Sequence, residues 1–213
     1  MLMALLPGVA LPAGQLAITA NVAPQTASSH LAKLISGELL SVEQQGRHRY
    51  YRLAGADVAA AIESLLAISP RPGKTASSAA AQAAQVVAPD SIAYARTCYS
   101  HLAGQLAVRM AQMLEKNRFV ITAGLRSYKV TVGGRDWFHD LGIDIRDRDT
   151  ADPRFARRCL DWTERRHHLA GRLGSALLAG LRELRWVAPI RNSRALRVTL
   201  EGRRGFEKLL RSV

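Results

Sequence analysis

"GQLAITANVAPQTASSHLAKL", Gly14 to Leu34, is the stretch whose reading decides how the N-terminal part of this 213-residue chain folds. Leu16, Ala17 and Ala20 fall on one helical face. Val22, Ala27, Leu31 and Leu34 continue the apolar pattern after a break at Asn21. Two helices meeting at a tight turn explain the break. Asn tolerates the left-handed backbone such a turn needs, and Pro24 suits the first turn of the second helix, where its missing N–H is no loss. Ala17 is small enough to let the helices cross closely. The spacing predicts a helix-turn-helix.

With the apolar residues inward, the outer face of the second helix carries Gln25, Thr26, Ser28, Ser29, His30 and Lys33, just after Pro24. Gln25, Ser28, Ser29 and His30 are short hydrogen-bonding groups suited to base edges in a major groove, while Thr26 and Lys33 suit phosphate. A solvated face on an ordinary helical hairpin would carry the same residues. The next stretch, "LLSVEQQGRHRYYRL" (Leu39 to Leu53), favours DNA. It reads as two strands turning near Gln45 and Gly46, with Arg47, His48 and Arg49 at the tip. A basic-tipped hairpin directly after a helix-turn-helix is a wing, whose arginines would sit on phosphate or in the minor groove.

Residues 11–66 therefore resemble the ArsR/SmtB family of bacterial winged helix-turn-helix repressors, through recognition helix, wing and the following "AGADVAAAIESLL" helix. The resemblance implies a homodimer that binds a roughly palindromic double-stranded DNA operator and represses until an inducer releases it. The chain departs from the family pattern in three ways. Asn21 and Ala23 stand where the family usually has a turn Gly and a capping Ser. Losing that cap costs on the order of 1 kcal/mol. Gln15 to Asn21 contains no Cys, and Asp57 to Leu66 contains no His, so the cysteine pair of the family's arsenic sensors and the His and Asp set of its zinc sensors are missing from those places. The chain also begins where a family member would already have one helix behind it. The expectation is either a truncated start or a dimer-forming helix supplied by the C-terminal half.

Hydrophobic residues make up 48% and charged residues 22% of the chain, an ordinary globular balance. The net charge of +13 points to a polyanionic partner. Its distribution is uneven: residues 1–70 hold four Lys/Arg and four Asp/Glu, whereas residues 91–213 hold twenty-four against twelve. The opening "MLMALLPGVALPA" lacks a basic leader and is broken by Pro7 and Pro12, so it is not read as a signal peptide. No apolar run approaches the ~18 residues of a membrane span. Two cysteines make no disulfide framework, and the reducing cytoplasm is the expected location, with no membrane partner.

"PRPGKTASSAAAQAAQ", Pro70 to Gln85, has the composition of a linker. It divides the chain into an N-terminal winged helix-turn-helix domain (1–69), a linker (70–89) and a C-terminal sensor and dimerisation domain (90–213). The last contains an internal repeat, over about residues 95–143 and 156–213. Both copies read A-R-x-C, then H-L-A-G-x-L, then a helical run ending in aromatic-Val, then "VTxxGRxxF" at Val130–Phe138 and Val198–Phe206. The second copy has six extra residues between its Cys and its HLAG. Each copy is expected to be a long helix, a wing and a shorter helix. The expected fold class is mainly α with small β wings, α+β overall.

Both cysteines occupy matching places in the repeat, Cys98 with His101 and Cys159 with His167 and His168. Cys98 and His101, three apart on a helix, would face the same way. If the copies pack about a pseudo-twofold axis, the pairs converge on a site for a divalent metal, or on a redox-sensitive dithiol. The alternative is that each Cys is a small buried hydrophobe and HLAG a packing motif. Trp137, Trp162, Trp186 and Tyr99 are read as core, or as an aromatic inducer pocket between the copies. No Walker, GxGxxG, HExxH or serine-elbow motif occurs, and no cofactor is implied with certainty. The expectation is a transcriptional repressor with a small-molecule or metal inducer rather than an enzyme; a thiol or metal enzyme and an architectural DNA-binding protein are the rivals.

Overall fold

Asn21 ends the first helix of the motif in the left-handed conformation (φ 51°, ψ 51°), and Val22 N–H then bonds back to the Ala17 carbonyl at 3.1 Å. The computed structural model describes residues 1–46, 48–69, 90–150 and 152–211. Its N-terminal part runs α1 (Leu2–Leu5), β1 (Leu11–Pro12), α2 (Ala13–Ala20), α3 (Pro24–Ser36), β2 (Leu40–Gln45), β3 (His48–Leu53) and α4 (Ala56–Ile68). Pro24 opens α3 after an extended Ala23 that offers no side-chain cap. Leu5, Leu16, Leu31, Leu40 and Tyr51 form the core between these helices and the sheet. That sheet has the order β1-β3-β2, so a strand outside the hairpin is added: Leu11 and Pro12 pair with Tyr51 and Tyr50. Pro12 fits because an edge strand leaves one row of donors unused. The expected linker at 70–89 lies outside the described residues.

The C-terminal part begins with β4 (Arg96–Cys98), β5 (His101–Ala103), α5 (Gln105–Lys116), β6 (Val120–Ala123), β7 (Ser127–Val130) and α6 (Val132–Asp140). After the short α7 (Asp147–Thr150), the same succession recurs as β8 (Arg157–Leu160), β9 (His167–Ala170), α8 (Gly171–Glu183), β10 (Val187–Pro189), β11 (Leu196–Val198) and α9 (Leu200–Arg211).

This corrects the helix-wing-helix expectation. A-R-x-C and HLA are the two strands of a hairpin that precedes each long helix. Cys98 and His101 are cross-strand partners in that hairpin, not neighbours on a helix. A tight hairpin turn and a helical turn both bring positions three apart together, so spacing alone could not separate them. The glycine of HLAG marks the break. Gly104 has φ +92° and Gly171 φ +76°, and a Cβ on either would lie within 3 Å of backbone carbonyls of the preceding segment. Helix therefore starts only at or after that glycine.

The two units clasp each other reciprocally. Ser127 of β7 pairs with Arg157 of β8, and Ala195, just before β11, bridges to Arg96 of β4. Matching amides close the joints: Tyr128 N–H to the Ala156 carbonyl at 2.8 Å, and Leu196 N–H to the Ala95 carbonyl at 2.9 Å. The "VTxxGRxxF" signature has a local physical meaning in both units. Thr131 and Thr199 accept from the amides of Gly134 and Gly202, capping α6 and α9. Those glycines lie against the Phe119 and Trp186 carbonyls, and Phe138 and Phe206 are buried in the shared core with Leu106, Leu114, Leu173 and Leu181.

Candidate nucleic-acid interface and cysteine-histidine cluster

Ala27 and Leu31 turn one face of α3 into the core. The opposite face leaves Gln25, Thr26, Ser28, Ser29, His30 and Lys33 exposed, together with Pro24. The Ser28 hydroxyl donates to the Pro24 carbonyl at 3.0 Å, which leaves its oxygen free to accept. The β2–β3 hairpin pairs Gln45 with His48 across a turn that uses Gly46 at φ +58°. His48 and Arg49 are exposed, and the Arg49 guanidinium lies 5.8 Å from the Tyr51 ring centroid. Arg52 is tied to Glu43 at 2.5 Å. Arg47 lies outside the described residues. The only formal charge on α3 is Lys33, so the face is polar rather than strongly basic.

At the seam between the two C-terminal units, the ligand atoms of Cys98, His101, Cys159 and His168 all lie within 4.8 Å of one another. The hairpins bring them there: Cys98 sits opposite His101 in β4–β5, and Cys159 sits opposite His168 in β8–β9. The two imidazoles meet at the centre, His101 Nε2 to His168 Nε2 at 3.1 Å. Cys98, His101 and His168 are buried, Cys159 partly so, and neither thiol is in a disulfide. A hydrogen bond to Cys159, with burial, pushes the Cys98 thiol well up. The same bond holds Cys159 below the ordinary thiol value. Soft thiolates beside neutral imidazoles are the donor types that hold zinc-like ions. A cavity of about 640 Å³ opens over the cluster and is also lined by Glu63, Tyr99 and Trp162.

His167 does not join them. Alternation along β9 turns it to the opposite side from His168, where Arg158 Nη2 lies 3.1 Å from its Nδ1. The aromatic residues do not gather into one pocket either. Trp137 stacks on Phe119 and Trp186 packs edge-on to Phe206, each within its own unit. Tyr99 and Trp162 line the cavity.

Behind the cluster is a buried ionic network that spacing did not reveal. Asp161 lies 3.6 Å from His168 Nδ1 through Oδ2. The same oxygen accepts from Arg96 at 3.0 Å and from the Gly104 amide at 2.7 Å, while Oδ1 accepts from the Thr163 hydroxyl at 2.6 Å. Burial alone would raise the Asp161 carboxyl, but Arg96 and these hydrogen bonds hold it at about 2. Arg96 also reaches Glu63 of α4 at 3.3 Å. Glu63 Oε1 accepts from Trp162 Nε1 at 3.0 Å and from Arg194 at 2.7 Å. Burial opposes that charge too, yet Arg194 and Arg96 keep Glu63 below the ordinary carboxylate value, and the Cys98 thiol contributes in the same direction. Arg194 continues to the N-terminal segment, donating from Nε to the Leu6 carbonyl at 2.7 Å. Asp161 and Trp162 belong to the six residues present only in the second copy. That asymmetry was the available signal: an insertion of "DWTERR" type into one copy of a repeat is a place to look for added function.

No family model matches the chain. It is 44% identical over 209 residues to the HTH-type transcriptional regulator YdfF of Bacillus subtilis (strain 168), a similarity covering 98% of this chain and 89% of that protein. No described helix is long and apolar enough to cross a membrane.

Proposed function

As the chain belongs to the HTH-type transcriptional regulators, we propose that α2 and α3 are its helix-turn-helix and that the β2–β3 hairpin is a wing, in the manner of ArsR/SmtB repressors. In this reading Gln25, Ser28, Ser29 and His30 touch bases in the major groove, while Thr26, Lys33, Arg47 and Arg49 hold phosphate, with Pro24 and His48 alongside. The protein acts as a homodimer on a roughly palindromic operator. It represses until an inducer is sensed in the C-terminal domain, which arose by duplication of one hairpin-helix-hairpin-helix unit.

The observation that carries the proposal is the division of α3 into two faces. Ala27 and Leu31 are buried, while Gln25, Thr26, Ser28, Ser29, His30 and Lys33 are exposed on the rest of the helix, with the hairpin following directly. A major groove admits one helix with this kind of face, and short amide and hydroxyl side chains near its N-terminus can reach base edges. With one cation on α3, tight binding must draw on the wing, a second subunit or the basic C-terminal half. A gel shift on the DNA upstream of the protein's own gene tests this. Specific repression predicts a complex that survives excess random duplex. Complete loss to that competitor would indicate sequence-independent binding and sink the repressor reading.

A further inference from the structure

We propose that Cys98, His101, Cys159 and His168 form a tetrahedral site for one divalent transition-metal ion of the zinc type, and that its occupancy is felt by α4 through Asp161, Arg96 and Glu63.

The geometry is that of a ligand set. In a tetrahedron with metal–nitrogen bonds of about 2.0–2.1 Å, the two nitrogens stand about 3.3 Å apart. His101 Nε2 and His168 Nε2 are 3.1 Å apart. Two imidazole nitrogens facing each other at this distance, buried, can satisfy one hydrogen bond at most, whereas a cation between them would use both lone pairs. The four ligand atoms lie within 4.8 Å of one another, so drawing them onto the edges of about 3.3–3.8 Å that a tetrahedral ion requires takes shifts of about 1 Å or less. Two thiolates and two neutral imidazoles neutralise a doubly charged ion, so the loaded site carries no net charge into a buried place. On binding, each sulfur still protonated releases its proton to solvent as the metal–sulfur bond forms, and no electron is transferred.

The surroundings fit a metal-bound histidine. His168 Nδ1 is buried without a hydrogen-bond partner at ordinary distance among the described residues, and the Asp161 carboxylate waits 3.6 Å away. A carboxylate that takes the second ring N–H of a metal-bound His fixes its tautomer and strengthens the ligand. Four protein ligands close the coordination sphere, which is the arrangement of structural or regulatory ions rather than catalytic ones. The cavity above the cluster provides an entry path.

The link to α4 rests on the DNA-binding reading above. Asp161 shares Arg96 with Glu63. Tightening Asp161 onto His168 loosens its hold on Arg96. That change reaches Glu63, and through Arg194 it reaches the Leu6 carbonyl of the N-terminal segment.

The test uses the full chain, reduced and stripped of metal, titrated anaerobically with cobalt(II) as the probe. The expected result is one cobalt per chain, with the strong visible bands of tetrahedral cobalt and a thiolate-to-cobalt charge-transfer band, all displaced by zinc(II). Cys98→Ser and Cys159→Ser should each remove most of the charge-transfer intensity. Asp161→Asn should keep the band shape while weakening cobalt binding about 10- to 100-fold. Absence of the charge-transfer band in the wild-type chain, whose folding is not in question, overturns the site. So does formation of a Cys98–Cys159 disulfide when a mild oxidant such as oxidised glutathione is added to protein that takes up no cobalt, the glutathione disulfide taking the two electrons. A second arm measures affinity for the upstream duplex with and without zinc(II), with a change of about 5- to 150-fold expected. The cobalt arm needs no DNA. A positive cobalt arm with unchanged affinity for a duplex that binds specifically overturns the link to α4, whereas failure of specific binding itself would overturn the repressor reading instead.

Discussion

Glu63 on α4 and Arg96 on β4 form a buried ion pair at 3.3 Å, with side-chain exposures of 5% and 1%. Arg96 is held on its other side by Asp161, so one guanidinium serves two carboxylates from different parts of the fold. Arg96→Ala would leave both acids buried without it. The expected loss is about 3–5 kcal/mol of folding stability, measurable as a lower urea midpoint. A loss under about 1 kcal/mol would mean that Arg194 and water replace the lost guanidinium.

Gly134 and Gly202 lie where a Cβ would come within about 2 Å of the Phe119 and Trp186 carbonyls. Gly134→Ala and Gly202→Ala should each force α6 or α9 off the strand end before it and cost about 3 kcal/mol. Thermal unfolding of the two variants should give similar losses, since the contact is the same in both units. Wild-type stability in either would show that the local backbone relaxes freely.

Arg49 is exposed at the hairpin, its guanidinium over the Tyr51 ring, and it makes no ion pair among the described residues. If it holds one phosphate, Arg49→Ala should weaken binding to all duplexes and reduce the slope of log affinity against log salt by about one unit. A slope equal to that of the wild type would take Arg49 out of the interface.

Gln25, on the exposed face of α3, should behave differently. Gln25→Ala is expected to change which sequence is preferred, by about 1–3 kcal/mol at the base pair it reads. Selection from a randomised duplex pool measures this, and a uniform loss across sequences would count against base reading by Gln25.

His139 and Asp144 are paired at 2.8 Å on the surface, and the Asp144 hydrogen bond and charge raise the imidazole above its ordinary value. Because the folded value exceeds the unfolded one, the pair favours the fold at pH below the ordinary imidazole value. That preference fades as pH rises through the folded value. NMR titration of His139 should give a raised midpoint that returns toward normal in Asp144→Asn; no difference between the two proteins would remove the pairing as the cause.

Much of the N-terminal fold was legible because its signals are local. The left-handed Asn21, Pro24 at the start of α3 and the Gly46 turn each act within a few residues, and the apolar period of α3 follows from one helix meeting one core. Leu11–Pro12 escaped notice because two residues carry no periodicity, and only the presence of β3 makes them a strand. In the C-terminal part the matched A-R-x-C and HLAG segments were readable, but the element bearing them was misassigned: a spacing of three serves a hairpin turn as well as a helix. His167 was grouped with His168 by adjacency, whereas strand alternation sends neighbours to opposite faces.

The amino-acid sequence by itself determined the elements whose cause is local: the left-handed turn at Asn21, the two-faced α3, the basic hairpin, and two matched A-R-x-C and HLAG segments. Only the tertiary structure decided that Cys98 and His101 meet Cys159 and His168, and that Asp161, Arg96, Glu63 and Arg194 join them to α4. Those contacts close over separations of 33 to 131 residues. They depend on how two hairpins clasp across a seam, and side-chain period along one segment carries no information about its partner in another.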